Sequence, residues 1–151
     1  MSRIVLASAS PRRKELLLKY NIEPIIIESN IQERVSPKET PVQIAMALSF
    51  EKANEVASKL NSDEIVIGAD TIVSYKERIL GKPKDEDEGR AMLEFLSGKA
   101  HEVITGIAII QANSNIKIID FEKTLVKFRN LSREKIDNYI NTGEYSLSRK
   151  N

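Results

Sequence analysis

The sequence predicts an α/β domain. Strand-like and helix-like stretches alternate along it, and two helix starts are marked by a capping residue followed by proline, at Ser10-Pro11 and Thr40-Pro41. The run Ile65-Val66-Ile67-Gly68-Ala69-Asp70-Thr71-Ile72-Val73 has the β-branched content of a central strand. A chain of 151 residues, 41% of them apolar, is the size of one globular domain and can bury a core without a staple. No repeat, low-complexity stretch or linker interrupts it.

The elements follow in order. Ile4-Val5-Leu6-Ala7 reads as a short buried strand that runs straight into Ser8-Ala9-Ser10-Pro11-Arg12-Arg13. With Ser10 as N-cap and Pro11 at the first helical position, a helix is expected from residue 11 to about 20, with Leu16, Leu17 and Tyr20 as its apolar side. A second strand is expected at 24–28 and a polar loop at 29–40. Thr40 then caps a helix reaching to about residue 60, and the central strand covers 64–73. Residues 75–84 read as a hairpin or loop. Asp85 and Glu88 have the spacing of a capping box for a helix to Leu96, ended by Ser97-Gly98. Two long strands, 101–111 and 116–128, flank a turn at 112–115. Ser132 caps a last helix to about 141, with Gly143 just beyond, and 144–151 show no usable period.

Composition excludes some chemistry. With no cysteine, the chain has no thiolate nucleophile, disulfide framework or thiolate zinc site. Twenty-three basic residues against 22 acidic ones, and 5% aromatics, argue against nucleic acid as a partner. A small phosphorylated ligand needs only a few local cations, so it stays open. The start has no secretory pattern and no stretch is long enough to span a bilayer, so a cytoplasmic protein with no membrane partner is expected.

Several places can carry chemistry. The junction at 8–13 offers the unpaired N–H groups of a helix start, the hydroxyls of Ser8 and Ser10, and the guanidinium groups of Arg12 and Arg13, all suited to phosphate oxygens. It lacks the glycines and lysine of a Walker loop, and locally a well-capped helix with solvated arginines is the commoner outcome. Asp70 stands in a strand whose neighbours favour burial, where a carboxylate must be paired, bonded or metal-bound. The alternative is an aspartate at a bulge, but acids in central strands are seldom without a use. Lys52 lies four residues after Leu48 and four before Val56, on the inward side of its helix unless it snorkels to water. Lys82 sits between glycine and proline on a loop; it is either aimed at a ligand or an ordinary turn lysine. Glu33, in the polar loop, can join Asp70 around a divalent cation or simply be solvated. The single histidine, His101, has no partner residues for an ordinary transition-metal site and is expected to be structural.

Together these motifs resemble the Maf family. The resemblance is carried in order by Leu6-Ala7-Ser8-Ala9-Ser10-Pro11-Arg12-Arg13, Glu33, Glu51-Lys52-Ala53, Gly68-Ala69-Asp70-Thr71-Ile72-Val73 and Leu80-Gly81-Lys82-Pro83. It continues through Arg90-Ala91-Met92-Leu93, Leu96-Ser97-Gly98 and His101-Glu102-Val103-Ile104-Thr105-Gly106, and more loosely to Thr142-Gly143-Glu144. The resemblance implies an elongated mixed-sheet α/β fold, related to the inosine triphosphate pyrophosphatases, with a cleft between two lobes. It implies hydrolysis of a nucleoside triphosphate to the monophosphate and pyrophosphate with a divalent cation, Mg2+ or Mn2+. Asp70 would activate water, and Glu33 would join Asp70 at the metal. Ser8, Ser10, Arg12, Arg13, Lys52, Thr71 and Lys82 would bind substrate.

Arg12 and Thr71 resemble the branch acting on dTTP and UTP; the branch acting on 7-methyl-GTP has Gly-Ser-Asp-Gln where this chain has Gly68-Ala69-Asp70-Thr71. The resemblance also implies a homodimer. The alternative reading is a nucleotide-binding regulator of septum formation that does not turn substrate over. After Glu144 the family pattern of Asp-Lys-Ala-Gly-x-Tyr is not found in Tyr145-Ser146-Leu147-Ser148-Arg149-Lys150-Asn151. The expectation is therefore one Maf-like domain over 1–151 without the family's C-terminal portion, and a weak or inactive enzyme.

Overall fold

A computed structural model describes residues 3–143. Its elements are β1 (Ile4–Leu6), α1 (Pro11–Lys19), β2 (Ile25–Ile26), α2 (Pro41–Ala57), β3 (Ile65–Tyr75), β4 (Arg78–Leu80), α3 (Glu86–Leu96), β5 (Ala100–Gln111), β6 (Lys117–Lys127) and α4 (Arg133–Thr142). The strands form one mixed sheet in the order β2-β1-β3-β5-β6, with β4 paired to β3. β1 runs parallel to β2 and β3, whereas β3, β5 and β6 are antiparallel neighbours. The expected tail at 144–151, and the motif sought there, lie outside the described residues.

Local chemistry sets the helix starts. The Ser10 hydroxyl accepts from the Arg13 N–H, Thr40 and Gln43 complete a capping box, and Ser132 accepts from the Lys135 N–H. Asp85 accepts from the Glu88 N–H at 2.8 Å, but the Glu88 carboxylate takes the N–H of Lys84, so this box closes one residue early. The β3–β4 connection is a tight turn in which Lys76 and Glu77 both have positive φ, 49° and 65°.

The core lies between α2 and the sheet. Val5, Ala53, Val56, Val66, Ala108 and Ile110 belong to one buried cluster; Ile44, Ala45, Leu48, Ile72 and Ile104 form a second further along the helix. Each buried branched side chain contributes roughly 1.5–3 kcal/mol. Glycines let α2 approach this closely. A Cβ on Gly68 would stand 2.5 Å from the Ser49 carbonyl oxygen, and one on Gly106 would overlap the Ala45 carbonyl. The packing fixes the rotation of α2, and so the direction in which Lys52 points.

α1 corrects an expectation. It contains no buried residue, and Leu16 and Tyr20 are 54% and 73% exposed. Only Arg13 and Leu17, four residues apart, turn partly inward. The second strand is also shorter than expected, two residues in place of five. No helix among the described residues is long and apolar enough to cross a membrane.

Candidate active site

Strand alternation places the central carboxylate. In β3, Val66, Gly68 and Ile72 meet α2, and Asp70 shares their face at 1% exposure. On α2, Leu48 and Val56 are buried, and Lys52 between them projects the same way. Its Nζ donates to Asp70 Oδ1 at 2.8 Å and lies 2.9 Å from Glu33 Oε1 of the polar loop. One ammonium thus bridges two carboxylates from separate parts of the chain.

Their environments separate the two acids. Burial pushes the Asp70 carboxyl above its ordinary range, outweighing the attraction of Lys52 and Lys82. Glu33 also loses solvation, but the Lys52 hydrogen bond and the charges of Lys52 and Lys82 together bring it below the usual value. Burial lowers the Lys82 ammonium against the pull of Asp70. A carboxylate raised toward neutrality at the edge of a cleft is suited to accept a proton, while its depressed partner stays ionised.

These groups open onto a cleft of about 550 Å³. Its polar end is lined by Arg12, Glu33, Asp70, Thr71 and Lys82. Its apolar part draws on Ile44 and Leu48 of α2, Met92 and Leu93 of α3, and Phe128. That volume and mixture suit a small organic anion. Lys52 stands behind this wall, with 12% of its side chain exposed.

The other expected residues hold the junction together. Ser10 is 1% exposed and caps α1; Ser8 accepts from the Ser10 N–H at 3.1 Å. Arg13 donates to Ser8 Oγ at 3.3 Å, to the Ala69 carbonyl at 3.1 Å and to Thr71 Oγ1 at 3.1 Å. Its guanidinium therefore clips α1 to β3 on both sides of Asp70, while Arg12, one residue earlier, is exposed at the cleft.

Sequence reasoning missed Thr105. It pairs with Thr71 across β3 and β5, and the two hydroxyl oxygens lie 3.1 Å apart. Only strand register reveals that contact. Tyr139 of α4 also lines the cleft, which no spacing in the sequence announces. His101 is buried at 5% exposure, packs edge-on against Phe128, and is held below its ordinary pKa by burial. It forms part of the cleft floor.

The fold and site define an α/β protein with a cation-lined cleft around a buried carboxylate. Solved structures share the fold. A HAM1 protein from Coxiella burnetii superposes with a TM-score of 0.57 at 19% identity, over 84% of this chain and 73% of that one. A nucleoside-triphosphatase, dITP/XTP pyrophosphatase, from Mycobacterium abscessus gives 0.52 at 11% identity, over 97% of both chains. A family profile described as Maf-like protein matches residues 3–148. A dTTP/UTP pyrophosphatase of Alkaliphilus oremlandii is 50% identical over 144 residues, 95% of this chain and 74% of that protein. One of Clostridioides difficile is 50% identical over 141 residues, 93% and 72% respectively. The chain belongs to the Maf-like protein family.

Proposed function

We propose that this chain hydrolyses nucleoside triphosphates, dTTP and UTP foremost, to the nucleoside monophosphate and pyrophosphate. The observation that carries the reading is Asp70: a fully buried carboxylate with a raised pKa, at the polar end of a cleft that also holds Arg12 and Lys82. The relatives named dTTP/UTP pyrophosphatase support the substrate.

In this reading Arg12 and Lys82 hold phosphate oxygens, and Thr71 lies beside them. Asp70 takes a proton from water as the water oxygen attacks the α-phosphorus. The bond from that phosphorus to the oxygen bridging the β-phosphate breaks, and pyrophosphate leaves with the bridging oxygen. Water supplies the hydroxyl that the monophosphate gains, which keeps water's second proton, and Asp70 passes the proton it took on to solvent. Charge moves onto the departing pyrophosphate, so fixed cations act where it develops. Before substrate enters, Lys52 keeps Asp70 and Glu33 aligned. Ser8, Ser10 and Arg13 fix the helix start from which Arg12 projects. The apolar part of the cleft receives base and sugar.

The residues present fit a divalent cation. Glu33 and Asp70 already converge on one positive centre, and hard carboxylate oxygens suit Mg2+ or Mn2+. No cluster of three or more candidate ligands occurs among the described residues, so phosphate oxygens and water would complete the coordination. Such an ion, when bound, screens phosphate charge and acidifies water. We place the activity in the cytoplasm, carried by a homodimer that clears unwanted nucleotides.

The test is pyrophosphate release from a panel of dTTP, UTP and 7-methyl-GTP. The reading expects the two pyrimidine nucleotides to turn over fastest. Fastest turnover of 7-methyl-GTP would overturn the preference, and binding of all three without pyrophosphate release would overturn the enzyme.

A further inference from the structure

The Lys52 ammonium stands where a metal would have to go. Its Nζ is 2.9 Å from Glu33 and 2.8 Å from Asp70, it comes from the rigidly packed face of α2, and only 12% of its side chain is exposed. The pair it bridges is uneven: the Asp70 side chain is 2% exposed, whereas Glu33 is 46% exposed on a loop. Without Lys52, the buried carboxylate would face a second one across a low-dielectric pocket. Around them stand further cations, Lys82 and Arg12 on the cleft wall and Arg13 behind it. Lys52, Lys82 and Arg13 act on the two carboxylates, three cations against two anions, so the free site is net positive and repels a second cation arriving alone.

We propose that Lys52 is the chain's own resident cation for the Glu33–Asp70 pair. A divalent ion takes the pair only by displacing the Lys52 ammonium, and does so in company with nucleotide phosphates. The displaced ammonium then has phosphate oxygens as its new partners, so one side chain serves both the empty and the loaded site. A metal already carrying a triphosphate arrives as an anion, which a net-positive site attracts. The proposal rests on the assignment of Glu33 and Asp70 as the ion's ligands.

Mn2+ binding to the nucleotide-free protein, followed by loss of the free-ion paramagnetic resonance signal, tests it. The set is wild type, Lys52→Met, Lys52→Gln, Asp70→Asn, and Lys52→Met with Asp70→Asn. Both single Lys52 variants should bind Mn2+ at least about tenfold more tightly than wild type, because a competing charge has gone. The gain should vanish in the double variant. A non-hydrolysable α,β-methylene dTTP analogue should tighten Mn2+ binding in wild type more than in either Lys52 variant. Should Lys52→Met lose its cooperative melting transition, Lys52→Gln, which keeps a hydrogen-bond donor for both carboxylates, carries the comparison. Unchanged or weaker Mn2+ binding on loss of Lys52, with Asp70→Asn still weakening it, would overturn the proposal and leave the ligand assignment standing. Mn2+ binding indifferent to Asp70→Asn in both backgrounds would overturn the ligand assignment, and the proposal with it.

Discussion

Asp70 is held in a state that suits reaction better than folding. Its raised pKa means that the surroundings favour the neutral carboxyl, so its contribution to stability is full below the unfolded-chain pKa. That contribution is lost as pH rises through the higher folded value. Asp70→Asn should therefore remove turnover of dTTP by about 10²–10⁴-fold, the range of a positioned general base. The same variant should melt no lower than wild type at neutral pH, and thermal unfolding beside pyrophosphate release checks both halves. The kcat/KM profile should rise through a pKa above the ordinary aspartate value, as Asp70 loses its proton. It should fall through one below the ordinary lysine value as Lys82 loses its own. A profile rising at the normal aspartate value would remove burial as the tuning agent. The sequence made Asp70 legible because a carboxylate amid Ile and Val demands a partner. It also gave Lys52 a direction, through four-residue spacing from Leu48 and Val56. It could not show that Thr71 and Thr105 meet, since that depends on the register of two strands 34 residues apart.

At the level of elements, α2 and α1 are attached by different physics. α2 is seated by apolar burial through two glycine gaps, so Gly68→Ala and Gly106→Ala should each cost roughly 1–3 kcal/mol from overpacking against backbone that cannot yield. Denaturant unfolding measures that loss. α1 buries nothing, and the three Arg13 hydrogen bonds tie it to Ser8 and β3. Arg13→Met should accelerate amide hydrogen exchange throughout α1, whereas Arg12→Met should leave exchange unchanged and raise KM. Equal exchange in the two variants would contradict the division of labour. Caps and prolines make α1, α2, α3 and α4 readable from the sequence. The inward face of α1 was not readable, because Leu16-Leu17-Leu18 is apolar in every direction and the tether is an arginine. The tight turn at Lys76 and Glu77 carries no glycine or asparagine, so its positive φ angles had no sequence signal beyond the hairpin spacing.

For the whole molecule, the sheet and the α3–α4 pair divide the work. α2 and the sheet form a rigid floor, while α3 and α4, joined by the Arg90–Asp137 ion pair, supply the opposite wall of the cleft. The sheet leaves β6 paired to β5 alone among the described residues, with Ile118 and Leu125 57% and 60% exposed. An unpaired edge strand of this length, with large apolar side chains exposed among its charges, invites strand pairing between copies. Leu125→Lys should lower concentration-dependent association in sedimentation velocity. The central claim, that a water activated at Asp70 attacks a triphosphate gripped by the cations beside it, has a direct test. The measurement is a crystal structure of the Asp70→Asn variant with dTTP and Mn2+. The α-phosphorus should lie within one water molecule of residue 70, with phosphate oxygens on Arg12 and Lys82. A triphosphate bound elsewhere, with residue 70 facing the base or empty solvent, would contradict it.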